Sequence, residues 1–160
     1  MRPMKKLPLV IVFVLMLGAL PAFAAETSRE EYIAAVEPIC KANTEANEKI
    51  LKGVRKEVKE GKLDSAARKF RAAARALKRT RTQLLQVPKP AEDEAQLTKW
   101  LGYVKTEVQL FEAVARKLAN DEATAAQKLV VRLVNNARQA NNQVIDFGFR
   151  YCKFQPSKFI

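Results

Sequence analysis

Two cysteines, Cys40 and Cys152, stand toward opposite ends of a 160-residue chain and follow an N-terminal export signal. No other feature restricts the fold as strongly, because one covalent link between them would enclose most of the exported chain. The signal has three parts. Arg2, Lys5 and Lys6 open it with positive charge, Leu7 to Leu20 forms an apolar run containing Gly18, and Pro21-Ala22-Phe23-Ala24 ends in an A-x-A site. Cleavage is predicted after Ala24. The run is shorter than the ~20 residues that comfortably span a bilayer, so it reads as a removed signal rather than a retained anchor, and no transmembrane anchor is expected after cleavage. No cysteine follows the site to carry a lipid. Residues 1–24 are thus assigned as signal peptide and 25–160 as one domain. The predicted location is extracytoplasmic: secreted, periplasmic or associated with the cell wall. Disulfides persist there, and two cysteines allow one intramolecular bridge, the alternative being a free or intermolecular thiol.

The exported part has the size of one domain with a proper core. It contains no histidine, and all three methionines lie in the signal. The usual imidazole base, the commonest metal ligand and both common haem axial ligands are therefore missing. With the cysteines paired, soft-metal sites are lost as well, and no calcium-loop motif is present. The residues indicate no metal site and no cofactor.

Strand signals are nearly absent, and apolar residues recur at spacings of three and four, the period of amphipathic helices. The first helix is predicted from Ser28, which with Glu31 forms a capping box, to Gly61. Its stripe is Tyr32, Ile33, Val36, Ile39, Cys40, Ala46, Ile50, Leu51, Val54 and Val58, and Pro38 is predicted to kink it or split off its first turns. The second helix is predicted to start at a cap on Asp64 and to bury Phe70, Ala73, Ala74, Leu77, Leu84 and Leu85. Val87-Pro88-Lys89-Pro90 is a stiff linker. The third helix opens on Glu92, Asp93 and Glu94, acidic residues suited to a helix's positive end, and buries Leu97, Trp100, Leu101, Val104, Val108, Phe111, Ala115 and Leu118. Asn120-Asp121 make a turn and cap a fourth helix carrying Ala126, Leu129, Val130, Leu133, Ala137, Ala140, Val144 and Phe147, which Gly148 ends.

Short connections make successive helices antiparallel neighbours, so the expected fold is an all-α, up-down-up-down four-helix bundle. The alternative, a helical repeat array, finds no internal period to support it. The pattern gives the first helix about 32 residues and the second about 23, so at ~1.5 Å per residue the first would overhang by roughly 13 Å at the stretch before Pro38. Cys152 then reaches Cys40 only if the chain reverses at Gly148, a reversal that glycine tolerates.

Tyr32-Ile33, Ile39-Cys40, Ala42-Asn43, the proline linker before an acidic helix start, the Asn120-Asp121 turn and Gly148 followed by Cys152 resemble a group of exported actinobacterial helical proteins with a two-cysteine pattern. That group usually has Gly-Asp where this chain has Asn-Asp, and Pro38 is atypical of it. The resemblance spans the exported chain. It implies the bundle and the bridge, and no activity.

Three surfaces merit functional attention. The net charge is +12, but residues 49–82 alone hold thirteen Lys and Arg against three acidic residues. Lys52, Arg55, Lys56 and Lys59 on the first helix, with Arg68, Arg71, Arg75, Lys78 and Arg79 on the second, are predicted to form a basic face for polyanions. Anionic lipid or a cell-wall polymer is the expected partner. Nucleic acid is disfavoured because no aromatic residues are interleaved for base stacking. The competing reading is a solvated face that maintains solubility. Second, Asn43 and Asn47 on the first helix and Arg81 on the second lie along apolar stripes. They form either an internally satisfied polar layer or a pocket in which Arg81 holds a small anionic ligand. The amide-rich run Asn135, Asn136, Gln139, Asn141, Asn142 and Gln143 reads as mostly exposed. Third, Phe149, Tyr151, Phe154 and Phe159 alternate with Arg150, Lys153 and Lys158. This strip either contacts a membrane or partner, or covers Tyr32, Ile33 and Val36. No base–nucleophile constellation exists, so an enzyme is not expected. The leading expectation is a binding or structural protein whose basic face contacts anionic envelope material; the alternative is a carrier of small anionic ligands.

Overall fold

The computed structural model describes residues 26–156; the stretch read from sequence as an export signal and the tail residues Lys158 and Phe159 lie outside them. Five α-helices follow one another: α1 (Arg29–Leu51), α2 (Val54–Lys59), α3 (Leu63–Leu84), α4 (Glu94–Ala119) and α5 (Ala123–Gln143). The four long ones form the antiparallel bundle expected from the periodicity. The chief packed pairs are α1 with α3, α3 with α4, and α4 with α5, while the short α2 lies on α3. Among the described residues no helix is long and apolar enough to cross a membrane.

Local chemistry explains where α1 begins. The Ser28 hydroxyl accepts from the Glu31 N–H at 3.2 Å, and the Glu31 carboxylate accepts from the Ser28 N–H at 2.8 Å, so two otherwise orphaned donors are satisfied. Arg29, one residue on, ties this end of α1 to the start of α4. Its Nε donates to Asp93 Oδ2 at 2.8 Å, a second guanidinium nitrogen pairs with Asp93 Oδ1, and Asp146 lies 3.5 Å away.

Two expectations for the first helix are corrected. α1 runs unbroken through Pro38, and the chain breaks instead at Lys52–Gly53. Gly53 takes φ 77, a left-handed conformation that side-chain-bearing residues adopt only at a cost. The break also removes the overhang. α1 has 23 residues and α3 has 22, so the two are matched in length. The surplus turns over as α2, held to α3 by Lys69, whose Nζ donates to Glu57 Oε1 and to the Lys52 carbonyl, both at 2.6 Å. Replacing Gly53 with Ala meets no atom within 4 Å, so its cost is conformational alone. A loss of about 1 kcal/mol is expected in urea unfolding.

The other ends differ in detail. Asp64 lies inside the first turn of α3 and caps nothing, because the helix starts a residue earlier with Lys62 at its head. The Asn120–Asp121 turn forms, with Asp121 at φ 59, but neither side chain caps α5, which starts after Glu122. α5 ends at Gln143 rather than Gly148, and Ile145–Phe147 continues as a short 3-10 turn.

The core is one contiguous cluster. Trp100, Leu97, Val104 and Val114 on α4 are fully buried, as is Leu133 on α5, while Leu77 and Leu84 on α3 and Leu51 on α1 are nearly so. Phe70 and Phe111 meet with ring centroids 5.8 Å apart. This cluster holds the long helices rigidly enough to position what lies between them.

Candidate functional site

The C-terminal segment decides the shape of the site. Gly148, at φ 63, reverses the chain after α5, and Cys152 then bonds to Cys40 with the Cα atoms 5.0 Å apart. The expected bridge and reversal are both present. Non-covalent contacts seat the same segment. Glu37 of α1 accepts the N–H of Arg150 at 2.7 Å and that of Tyr151 at 3.0 Å. Asn141 of α5 grips Phe154 reciprocally, donating to its carbonyl and accepting from its N–H, both at 2.8 Å. Phe149 and Phe154 stack near Trp100, with centroids 5.6 and 6.4 Å away. Phe147 and Phe149 are buried, and Arg29 lies 4.7 Å above the Phe147 ring. These aromatics face the core, with Trp100 as their main seat.

Beneath this segment is a cavity of about 290 Å³ between α1, α3, α4 and residues 150–156. Its walls include Leu51, Leu77, Leu84 and Phe111, and Cys40 contributes to its roof. Asn43 and Asn47 line it, as the stripe of α1 predicted, but Arg81 does not. The half-buried Arg81 sits on the α4-facing side of α3, with its Nε 3.4 Å from the Leu101 carbonyl. The polar layer of Asn43, Asn47 and Arg81 is corrected accordingly. Thr80 occupies the inward position, because one residue is a 100° turn of the helix. Arg81 therefore takes no part in lining this cavity.

The buried charged residue lining the cavity is instead an acid, Glu107 of α4, only 2% exposed. Its Oε2 accepts from Asn136 Nδ2 at 2.6 Å, and that amide also donates to the Tyr103 carbonyl at 3.1 Å. Burial pushes the Glu107 carboxyl up from its ordinary 4.5 to about 7, and the bond from Asn136 opposes the rise. Asn47 is almost as enclosed. Its Nδ2 donates to Asn43 Oδ1 at 3.4 Å, while its own buried Oδ1 has no partner among the described residues. The Thr80 hydroxyl donates back to the Ala76 carbonyl at 3.2 Å. Sequence reasoning missed Glu107 and Asn136, although a signal existed. Glu107 falls between Val104 and Phe111 at helical spacing, and Asn136 between Leu133 and Ala140, so both interrupt core stripes. Within the amide run, Asn136 and Asn141 serve these internal bonds, whereas Asn135, Gln139 and Asn142 are exposed as expected.

The basic face is a separate surface. Lys52, Arg55, Lys56, Lys59, Arg68, Arg71, Arg75, Lys78 and Arg79 are all exposed. Those on α3 share a sector opposite its buried alanines and leucines. Lys56 lies 3.6 Å from Glu60, whereas Arg68, Arg71, Arg75, Lys78 and Arg79 make no ion pair with any described residue. Lys69, between them in sequence, turns inward to Glu57 at 2.6 Å. A smaller apolar cleft of about 140 Å³ lies between α2 and α5, lined by Val54, Val58, Phe70 and Val130 together with Arg55 and Lys59. Among the described residues no cluster of three or more His, Cys, Asp or Glu is placed to hold a metal ion.

Fold and site together define an all-α bundle closed by one disulfide, with a basic outer face and an acid-floored cavity under its returning C-terminal segment. The chain matches no protein-family model, no curated protein and no solved structure.

Proposed function

We propose that this chain is an exported, envelope-associated binding protein whose basic face engages anionic envelope material. The observation that carries the reading is the row of Arg68, Arg71, Arg75, Lys78 and Arg79 on one side of α3, exposed and without carboxylate partners among the described residues. Cations left uncompensated on one face attract a polyanionic surface more strongly than the same cations mixed with acids. Acidic lipid headgroups and wall polymers offer the shared chemistry, closely spaced phosphate or carboxylate. The apolar cleft beside Arg55 and Lys59 favours an amphiphile among them, because it offers cover to an alkyl chain next to cationic groups. A disulfide-closed bundle suits an oxidising compartment. The earlier alternative, an anion carrier built around Arg81, has no geometric support, since that side chain lies away from the cavity.

The test is sedimentation of the protein, from residue 25 onward, with anionic and zwitterionic vesicles and with purified wall polymer. Binding to anionic vesicles is expected at low salt and is expected to vanish near ~0.5 M salt, where screening lengths are only a few ångströms. Each cation near such a surface contributes about 1 kcal/mol, so the double variant Arg71→Gln and Arg75→Gln should bind about 30-fold more weakly. Glutamine preserves helix propensity, so folding is retained. Absence of binding at low salt to every anionic material, or binding indifferent to salt, overturns the reading. Retention by polymer alone transfers it from lipid to wall.

A further inference from the structure

We propose that the cavity beneath the C-terminal segment binds a small organic monoamine, its ammonium group held between Glu107 and Asn47 and its apolar part against Leu51, Leu77, Leu84 and Phe111. This site is distinct from the basic face and does not depend on the envelope reading.

The polar atoms left without partners in the cavity select the ligand's chemistry. Asn47 is 9% exposed, its Oδ1 is fully enclosed, and no donor among the described residues reaches that oxygen. Leaving a buried acceptor unpaired is unfavourable, so a group of this kind calls for a donor. Glu107 adds a second acceptor. Asn136 occupies its Oε2, and Oε1 has no hydrogen-bond partner among the described residues. Both side chains line one cavity. A donor that satisfies an amide oxygen and a carboxylate together is an ammonium group, and the charge-assisted bond to a carboxylate is the stronger of the two. Leu51, Leu77, Leu84 and Phe111 supply an apolar wall beside the polar Asn43 and Thr80, and about 290 Å³ lies at the small end of ligand pockets.

Among the described residues no cation is buried beside Glu107. α3 contributes only Leu77, Thr80 and Leu84 to the cavity, and α5 offers the neutral Asn136 behind it. From α1 the charged lining residue is Glu48, exposed at the edge. The returning segment contributes Arg150, Tyr151 and Lys153. Arg150 and Lys153 are exposed, and the Arg150 guanidinium rests 5.2 Å above the Tyr151 ring. These two cations at the mouth disfavour a second ammonium at the ligand's outer end, which points to a monoamine rather than a polyamine. The rise of the Glu107 carboxyl to about 7 has desolvation as its leading cause, the condition that an incoming ammonium relieves.

The experiment is calorimetric titration of the disulfide-intact protein with benzylamine, benzyl alcohol and benzoate, three probes of one shape and different charge. At about pH 8 benzylamine should bind at least about tenfold more tightly than benzyl alcohol, with benzoate weakest. Glu107→Gln should reduce benzylamine to the level of the alcohol and leave the alcohol unchanged. Because Glu107 holds its proton below about pH 7 when no amine is bound, benzylamine binding should weaken by about 30-fold between about pH 8 and about pH 5.5, while the alcohol should not respond. Asn47→Leu, which removes the unpaired acceptor and fills the space, should abolish binding of all three probes in a protein whose helical circular dichroism is unchanged. Equal affinity for amine and alcohol, preference for benzoate, indifference to Glu107→Gln, or no detectable binding of benzylamine at millimolar concentration would each overturn the proposal.

Discussion

Replacing Cys40 and Cys152 together with serine is expected to lower the unfolding free energy by about 5 kcal/mol, the value loop-closure entropy assigns to a link across 112 residues. The bridge encloses α2, the long helices α3, α4 and α5 and the second half of α1, so its removal frees most of the described chain in the unfolded state. In the chain-entropy model the native contacts of the C-terminal segment are not counted. Those contacts are substantial: two backbone N–H groups on Glu37, a reciprocal pair on Asn141, and rings against Trp100. The double variant should therefore retain a docked C-terminal segment and native helicity while melting on the order of 15 °C lower. Urea unfolding of the oxidised protein and the variant, followed by far-ultraviolet circular dichroism, gives the difference directly. A loss below about 1 kcal/mol would mean that the unfolded chain is already compact enough to keep the two ends together. Mass analysis showing two free thiols in the purified protein would remove the bridge from consideration altogether.

Glu107 should impose a pH dependence opposite to that of most carboxylates. Its carboxyl sits near 7 in the folded state against an ordinary value of 4.5. Between those values the native protein holds a proton that the unfolded chain releases. The resulting stabilisation is complete below about pH 4.5 and is lost as pH rises through about 7. A shift of that size amounts to about 3 kcal/mol. Glu31, Glu57 and Glu122 titrate the other way. Bonds to Ser28, Lys69 and Lys117 respectively hold them below the usual carboxylate range, and their contribution is lost as pH falls through their lowered values. The two effects overlap in the wild type, so the informative quantity is its difference from Glu107→Gln. The variant should match the wild type in mild acid and exceed it by up to about 3 kcal/mol at about pH 8, because the glutamine retains a bond to Asn136 without a buried charge. Parallel stability–pH curves for the two proteins would show that solvent or a counter-ion already reaches the carboxylate.

If the glutamine variant is more stable, the acid is kept at a cost to the fold, and such costs concentrate where a ligand is expected to compensate them. The pH series on stability and the titration with amine probes are then two independent measurements of one group. The first reads its desolvation, the second its readiness to accept a counter-ion.

Much of the bundle was legible without coordinates because it depends on short-range relations. The Ser28–Glu31 box is a contact between residues three apart. The core stripes of α3, α4 and α5 follow from 3.6 residues per turn, except that Leu85, expected inside, lies exposed just past the end of α3, and the two cysteines with Gly148 between the last helix and Cys152 required a chain reversal. The exposed basic row on α3 came from the same periodicity, since arginines at those spacings fall opposite the alanines. The break at Gly53 was hidden because Ile50, Leu51, Val54 and Val58 continue a helical stripe across it. Only the need to match α1 to the length of α3 makes the left-handed turn worthwhile. Arg81 was placed inward by its position between Leu77 and Leu84, yet the rotation of α3 against α1 and α4 puts Thr80 there instead.

On its own, the order of residues determined the helices, their main faces, the covalent closure and the segregation of positive charge, all of which arise from bonds and spacings within a few residues or from chemistry that needs no neighbour. The tertiary arrangement alone decided that Glu107 is buried, that Asn136 from a helix 29 residues away supports it, and that Asn47 lines the same cavity. Desolvation is a property of everything that surrounds a group at once, so a carboxylate acquires its unusual affinity for a proton only when four separate pieces of chain have closed around it.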